Sequence, residues 1–128
     1  MKKINKKGFT LIELLVVVIV MGVLASIGIP QFAKALEKSK SADARLGLNF
    51  IYRAEIAYYG FGGNGSYTNS MGNLDSDVVL TNRYWTFSVD TPTTDTFTAI
   101  ATRKSGSHSG QTITLDDKNN LSGNWEFL

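Results

Sequence analysis

The hydrophobic positions along this chain change period twice. From residue 9 to residue 29 the run is almost continuously apolar, and Glu13 is its only ionisable side chain. At 1.5 Å rise per residue it makes a helix of about 31 Å, the thickness of a bilayer core. After Pro30 the spacing becomes helical and one-sided. Phe32, Ala33, Leu36, Leu46, Phe50, Ala54 and Ala57 form one row, and Leu48, Ile51 or Tyr52, Ile56 and Tyr59 form a second. Between them, residues 37–45 are charged and poor in apolar side chains, and read as solvated or as a contact between subunits. The glycine-rich stretch 60–66 is a strong helix stop. It opens an irregular stretch that ends in Leu74-Asp75-Ser76-Asp77.

The period then shortens to two. Residues 84–89, 97–102 and 112–115 are rich in β-branched and aromatic types, as strands are. Their connectors are 90–96, which contains Pro92, and 105–110. A last short strand is expected at 124–128. The predicted fold class is α+β: a long N-terminal helix, its first half transmembrane, packed on a small antiparallel sheet of three to four strands. Continuous from Phe9 to Tyr59, that helix measures about 77 Å. The sheet is expected to cover Phe50, Tyr52 and Ile56. Trp85, Phe87, Phe97, Ile100 and Ile113 are core candidates that cannot all face the same way.

Charge sharpens the picture. The chain has 128 residues and a formal net charge of +2. Four of its thirteen basic side chains, Lys2, Lys3, Lys6 and Lys7, precede the apolar run. Setting residues 1–8 aside leaves nine basic against eleven acidic, or −2. That balance does not support a nucleic-acid-binding surface. The leading lysines predict a cytoplasmic N-terminus. There is no cysteine, so disulfides and thiolate metal sites are excluded. No A-x-A-like cleavage site follows the apolar run, unlike in a secretory signal.

Glu13 does not suit a plain anchor. A charged group inside an apolar helix costs about 2.5–3.5 kcal/mol on insertion scales, so it calls for a partner. The basic leader, then Gly8-Phe9-Thr10-Leu11-Ile12-Glu13-Leu14-Leu15-Val16-Val17, resembles the leader junction of type IV prepilins and pseudopilins. The likeness extends through Pro30, and more loosely to Tyr59.

The resemblance implies a set of roles. A prepilin peptidase cuts between Gly8 and Phe9 and N-methylates Phe9. Glu13 pairs with the Phe9 ammonium of a neighbouring subunit. Two charges that are costly alone are tolerable together, so the pair specifies register more than it adds stability. Gly22 and Pro30 fall where the family has a glycine and a proline that loosen the helix, and proline removes one helical hydrogen bond. Phe9, Glu13, Gly22 and Pro30 are thus the expected assembly residues. The expected divisions are a leader at 1–8, a transmembrane and assembly helix at 9–30, an amphipathic helix at 31–59, and a variable loop with the sheet at 60–128.

The function this implies is a structural subunit of a type IV pilus, not an enzyme, in a homo-oligomeric helical filament for adhesion, twitching motility or DNA uptake. Expected partners are the prepilin peptidase and an inner-membrane assembly platform. The precursor spans the inner membrane once, N-terminus cytoplasmic, and the assembled pilus is extracellular. No cofactor is implied. One alternative is a pseudopilin of a type II secretion system. The chain lacks the Asp-Pro-Trp-Gly segment and the Tyr-Pro of the major pseudopilin, whereas Ala35-Leu36-Glu37-Lys38-Ser39-Lys40 and the pair Tyr58-Tyr59 look more like pilins. A second alternative is a single-pass anchored binding domain that never polymerises.

Other signals are weaker. His108 is the only histidine and sits in a Ser/Gly loop, where it reads as a solvated residue rather than a base or ligand. No catalytic motif, phosphate loop or metal-spaced cluster is present. Asp116, Asp117, Asn119 and Asn120 form an oxygen-rich stretch. Asp116, Asp117 and Asn119 are a calcium candidate by similarity to pseudopilins, although Asp and Asn equally suit a hairpin turn. Asn64-Gly65-Ser66 and Asn120-Leu121-Ser122 fit the N-glycosylation pattern, which is short enough to arise by chance.

Overall fold

The computed structural model describes residues 8–74 and 82–128. One helix, α1 (Leu11–Phe61), precedes a 3-10 turn at Met71–Asn73 and four strands. These are β1 (Trp85–Thr93), β2 (Thr96–Arg103), β3 (Thr112–Asp116) and β4 (Leu121–Gly123), antiparallel in the order β1-β2-β3-β4. The chain divides into two compact units, Met1–Leu36 and Glu37–Leu128.

In the first unit, the described side chains are exposed throughout. The helix here is long and apolar enough to cross a membrane. Exposure of so continuous an apolar surface signals that it is covered by something outside the chain.

In the second unit, α1 packs against the sheet. Its buried positions are Ser41, Ala44, Gly47, Leu48, Ile51 and Glu55, one face at three- and four-residue spacing. In β2, burial alternates strictly, placing Phe97, Ala99, Ala101 and Arg103 inward. Trp85, Val89, Ile113, Leu115, Leu74 and Trp125 complete the core. Contact is tight at Gly47, where a β-carbon would collide with the ring of Phe87.

Polar ties add to this packing. Arg103 is almost fully buried; its Nη2 lies 3.2 Å from Glu37 Oε1, and its Nη1 donates to the Tyr84 carbonyl at 3.1 Å. The indole Nε1 of Trp85 donates to the Lys40 carbonyl at 2.8 Å. Helix and sheet are therefore joined by charge and hydrogen bonds from Glu37 onward.

Several expectations change. Residues 37–45 are not simply solvated, because Ser41 and Ala44 are buried and Glu37 meets Arg103. Phe50 and Ile56 are exposed, since the helix turns the Ala44–Leu48–Ile51 face inward instead; only Tyr52 of the expected trio packs on the core. Ile100 lies on the outer sheet face, half-buried between Thr98 and Thr102, while the small Ala99 and Ala101 hold the inner face. The connector expected at 90–96 shrinks to Thr94 and Asp95. β1 continues through Pro92 with a register shift between Asp90 and Thr93, tolerable because β1 is an edge strand.

The last strand is β4, not 124–128. A tight turn with Asn119 at φ 64° closes the hairpin earlier than expected. The side chain of Asn124 then takes the Thr112 N–H at 2.6 Å, and Trp125 tucks against Trp85 with ring centroids 5.0 Å apart.

The helix ends two residues later than the expected Tyr59. Gly62 and Gly63 both donate their N–H to the Tyr58 carbonyl, at 2.9 and 2.7 Å, and Gly65 donates to that of Tyr59 at 3.2 Å. Asn64 and Gly65 have φ of 51° and 80°, which Asn and Gly accept most readily. Asp75, Ser76 and Asp77, expected to close this stretch, lie outside the described residues.

Candidate assembly site

The site begins where regular structure begins. Gly8, Phe9 and Thr10 precede α1 in non-helical backbone, and all three are exposed. Nothing lies within 4 Å of where a side chain on Gly8 would sit. Gly8 and Phe9 thus lie in exposed, irregular chain. Residues 1–7 of the expected leader lie outside the described residues.

Thr10 and Glu13 form a reciprocal cap. Thr10 N–H donates to Glu13 Oε2 at 2.9 Å, and Glu13 N–H donates to Thr10 Oγ1 at 3.3 Å. This is the capping box, with Thr as N-cap and Glu three residues on. It satisfies two amides that a helix start leaves without partners. Glu13 is therefore not an isolated charge along the helix: one carboxylate oxygen already holds a donor, and the helix dipole favours an anion at this end. Thr10 was readable from the T-x-x-E spacing, but the leader junction draws the eye to its neighbours.

Gly22 and Gly28 face open space. Pro30 lies inside α1 and has no N–H for the carbonyl of Ser26. Ser26 Oγ in turn donates to the Val23 carbonyl at 2.7 Å, a local bond that competes with the helical ladder. Between Gly22 and Pro30 the helix thus combines a residue of low helix propensity, a missing ladder bond and a competing hydroxyl.

The remaining candidates lie in the second unit. Asp116 Oδ1 accepts the N–H of Lys118 at 3.0 Å and of Asn120 at 2.7 Å, and Oδ2 accepts Asn120 Nδ2 at 3.2 Å. The Asn120 N–H foremost holds its carboxyl below the usual range. These bonds use the carboxylate to build the turn, as the hairpin reading expects. Among the described residues, no group of three or more His, Cys, Asp or Glu is placed to hold a metal ion.

His108 departs from expectation. It is largely buried, edge-on to Trp125 and Phe127 at 5.4 and 5.3 Å, with Nδ1 3.3 Å from Glu126 Oε2. It fastens the C-terminal segment rather than waiting in solvent.

A profile described as the prokaryotic N-terminal methylation motif matches residues 3–29. The chain is 43% identical over 55 residues to the type IV major pilin protein PilA of Myxococcus xanthus. That match covers 43% of this chain but only a quarter of the relative's length. It is 32% identical over 110 residues to the type IV wide pilus major component PilA4 of Thermus thermophilus, covering 85% of this chain and 79% of the relative. The chain belongs to the type IV pilin family. No solved structure matches it.

In this pilin, the methylation motif and the most apolar part of α1 coincide, and the capping box of Thr10 and Glu13 lies inside the motif. The second similarity reaches well beyond the motif into the sheet unit, so membership does not rest on the N-terminal segment alone.

Proposed function

We propose that this chain is a structural, non-enzymatic subunit of a type IV pilus, made as a membrane-anchored precursor and polymerised through the first part of α1. The observation that carries this reading is the exposed apolar surface of residues 9–29, interrupted by the single carboxylate of Glu13. Lipid covers such a surface in the precursor, and neighbouring copies of the same helix cover it in a filament. The names of the two relatives, both pilus components, favour a pilus over a secretion pseudopilus or a lone anchored domain.

In this reading a prepilin peptidase hydrolyses the Gly8–Phe9 bond and methylates the new amine. The Phe9 ammonium of one subunit then meets Glu13 of another, fixing axial register. Residues between Gly22 and Pro30 loosen as the helix passes from lipid into the bundle. The precursor is oriented with its N-terminus in the cytoplasm, and an inner-membrane platform feeds the filament. Adhesion, motility and DNA uptake are the uses such a filament serves.

Mass spectrometry of the N-terminus in cells carrying a prepilin peptidase tests the processing step. A chain beginning at methylated Phe9 is expected, and an intact Met1 defeats the proposal. Glu13→Ala tests assembly: the variant inserts in the membrane as well as the parent, yet surface filaments disappear. Filaments of normal abundance in that variant would show that Glu13 has no part in register.

A further inference from the structure

Glu55 sits on the inward face of α1, fully buried, and no assembly role accounts for it. Its Oε2 accepts one hydrogen bond, from the backbone N–H of Thr68 at 3.0 Å. Among the described residues its Oε1 has no hydrogen-bond partner, and no Lys, Arg or His pairs with it. Among the described residues the titratable group that interacts with Glu55 is the phenol of Tyr67, which Tyr59 and Tyr52 of α1 also approach. Asp117, in the turn between β3 and β4, acts on Tyr67 and adds negative charge. With one donor and no counter-ion among the described residues, an ionised carboxylate buried here is a costly state that the neutral acid avoids.

The partner of Glu55 belongs to a self-contained segment. Thr68 Oγ1 accepts the N–H of Ser70 at 3.1 Å and Nδ2 of Asn73 at 3.1 Å, organising the turn around Met71–Asn73. The segment is also held by the N–H groups of Gly62, Gly63 and Gly65 to the end of α1, by Tyr67 N–H to the Thr94 carbonyl at 2.9 Å, and by the Tyr67 ring, 4.7 Å from those of Tyr59 and Phe97. Thr68 and Leu74 are buried, but most of the segment is exposed or half-buried. Local opening of such a piece costs less than global unfolding and gives Glu55 access to water.

We propose that Glu55 is a pH-operated latch for residues 62–74: the segment lies closed on α1 while the carboxyl is protonated, and opens to water as it ionises. Burial raises the folded pKa of Glu55 above its ordinary 4.5, and the Thr68 bond only partly offsets this. The folded chain therefore holds this proton more tightly than the open one. Closure is favoured as pH falls from the folded value towards 4.5, and lost as pH rises through the folded value.

Hydrogen exchange of the full-length mature protein in detergent micelles reads the latch. With rates corrected for intrinsic chemical exchange, protection of the amides of residues 66–74 is expected to fall between pH 5 and pH 8, by up to about tenfold per unit for one proton. Glu55→Gln keeps an acceptor for Thr68 but cannot ionise, so its protection stays flat. A flat wild-type profile, or the same slope in Glu55→Gln, overturns the proposal. A second measurement needs no variant at position 55. The chain has four glutamates, and their δ-carbon resonances can be followed by NMR, with Glu13 identified by its loss in Glu13→Gln. One of the other three is expected to titrate above 4.5, in step with the exchange; all three titrating at or below 4.5 overturns the latch.

Discussion

The guanidinium of Arg103, at the end of β2, faces the carboxylate of Glu37 on α1, with Nη2–Oε1 at 3.2 Å and Lys40 Nζ 2.7 Å from the same oxygen. Arg103 is nearly inaccessible, whereas Glu37 is partly solvated, so removing the carboxylate strands a buried cation. Glu37→Ala is expected to lower stability by about 1–3 kcal/mol in urea unfolding followed by tryptophan fluorescence. Burial alone would raise the pKa of Glu37, but the hydrogen bonds from Lys40 and Arg103 prevail and leave it below 4.5. The contribution is present above 4.5 and lost as pH falls through the folded value. Glu37→Gln should flatten that acid limb, and an unchanged limb would assign it to another group.

Gly47 under Phe87 gives a steric prediction. A larger side chain there forces the ring outward or lifts the sheet from α1. Gly47→Leu is expected to cost about 1–3 kcal/mol as overpacking. Shortening the ring in Gly47→Leu/Phe87→Ala should recover part of that loss, which additive costs for the two changes would refute.

Trp125 closes the core from the C-terminal side, with His108 and Phe127 around it. Trp125→Ala should cost about 3–5 kcal/mol, as large aromatic deletions do. His108→Ala is milder, about 1 kcal/mol, matching the worth of an aromatic contact. Its signature is faster amide exchange at Trp125 and Leu128 with the β2–β3 ladder unchanged. Uniform loss of protection across the sheet would mean that His108 supports the whole core.

The turn at Asp116 predicts indifference to calcium. Its carboxylate oxygens already serve Lys118 and Asn120, so adding calcium or a chelator leaves the melting temperature unchanged. A calcium-dependent rise that vanishes in Asp116→Asn would show that the ion can displace those bonds.

What the sequence made legible was whatever has a local cause. The apolar run, the helix stop at residues 60–66 and three of the four strands follow from period and turn chemistry, and the T-x-x-E cap was there to be read. The helix face was not legible, because α1 carries two competing apolar rows. The sheet took Leu48 and Ile51 of the second row together with Ala44 and Gly47, whose small size allows close approach, and left Phe50 of the first row outside. Burial of Glu55 was hidden for a related reason: a glutamate in a helix reads as solvated until the segment that covers it is known. The last strand was misplaced because Trp125 looks like strand material, while Asn119 had already turned the chain.

The capping box at Thr10 and Glu13 has a thermodynamic corollary. A free glutamate samples many rotamers, and fixing it against a neighbour forfeits that freedom on contact. Here the Thr10 N–H restrains the carboxylate on the isolated chain. If Glu13 docks as proposed, much of its ordering precedes the encounter, and association loses correspondingly less side-chain entropy. Thr10 would then act on how readily subunits join while touching no neighbour itself.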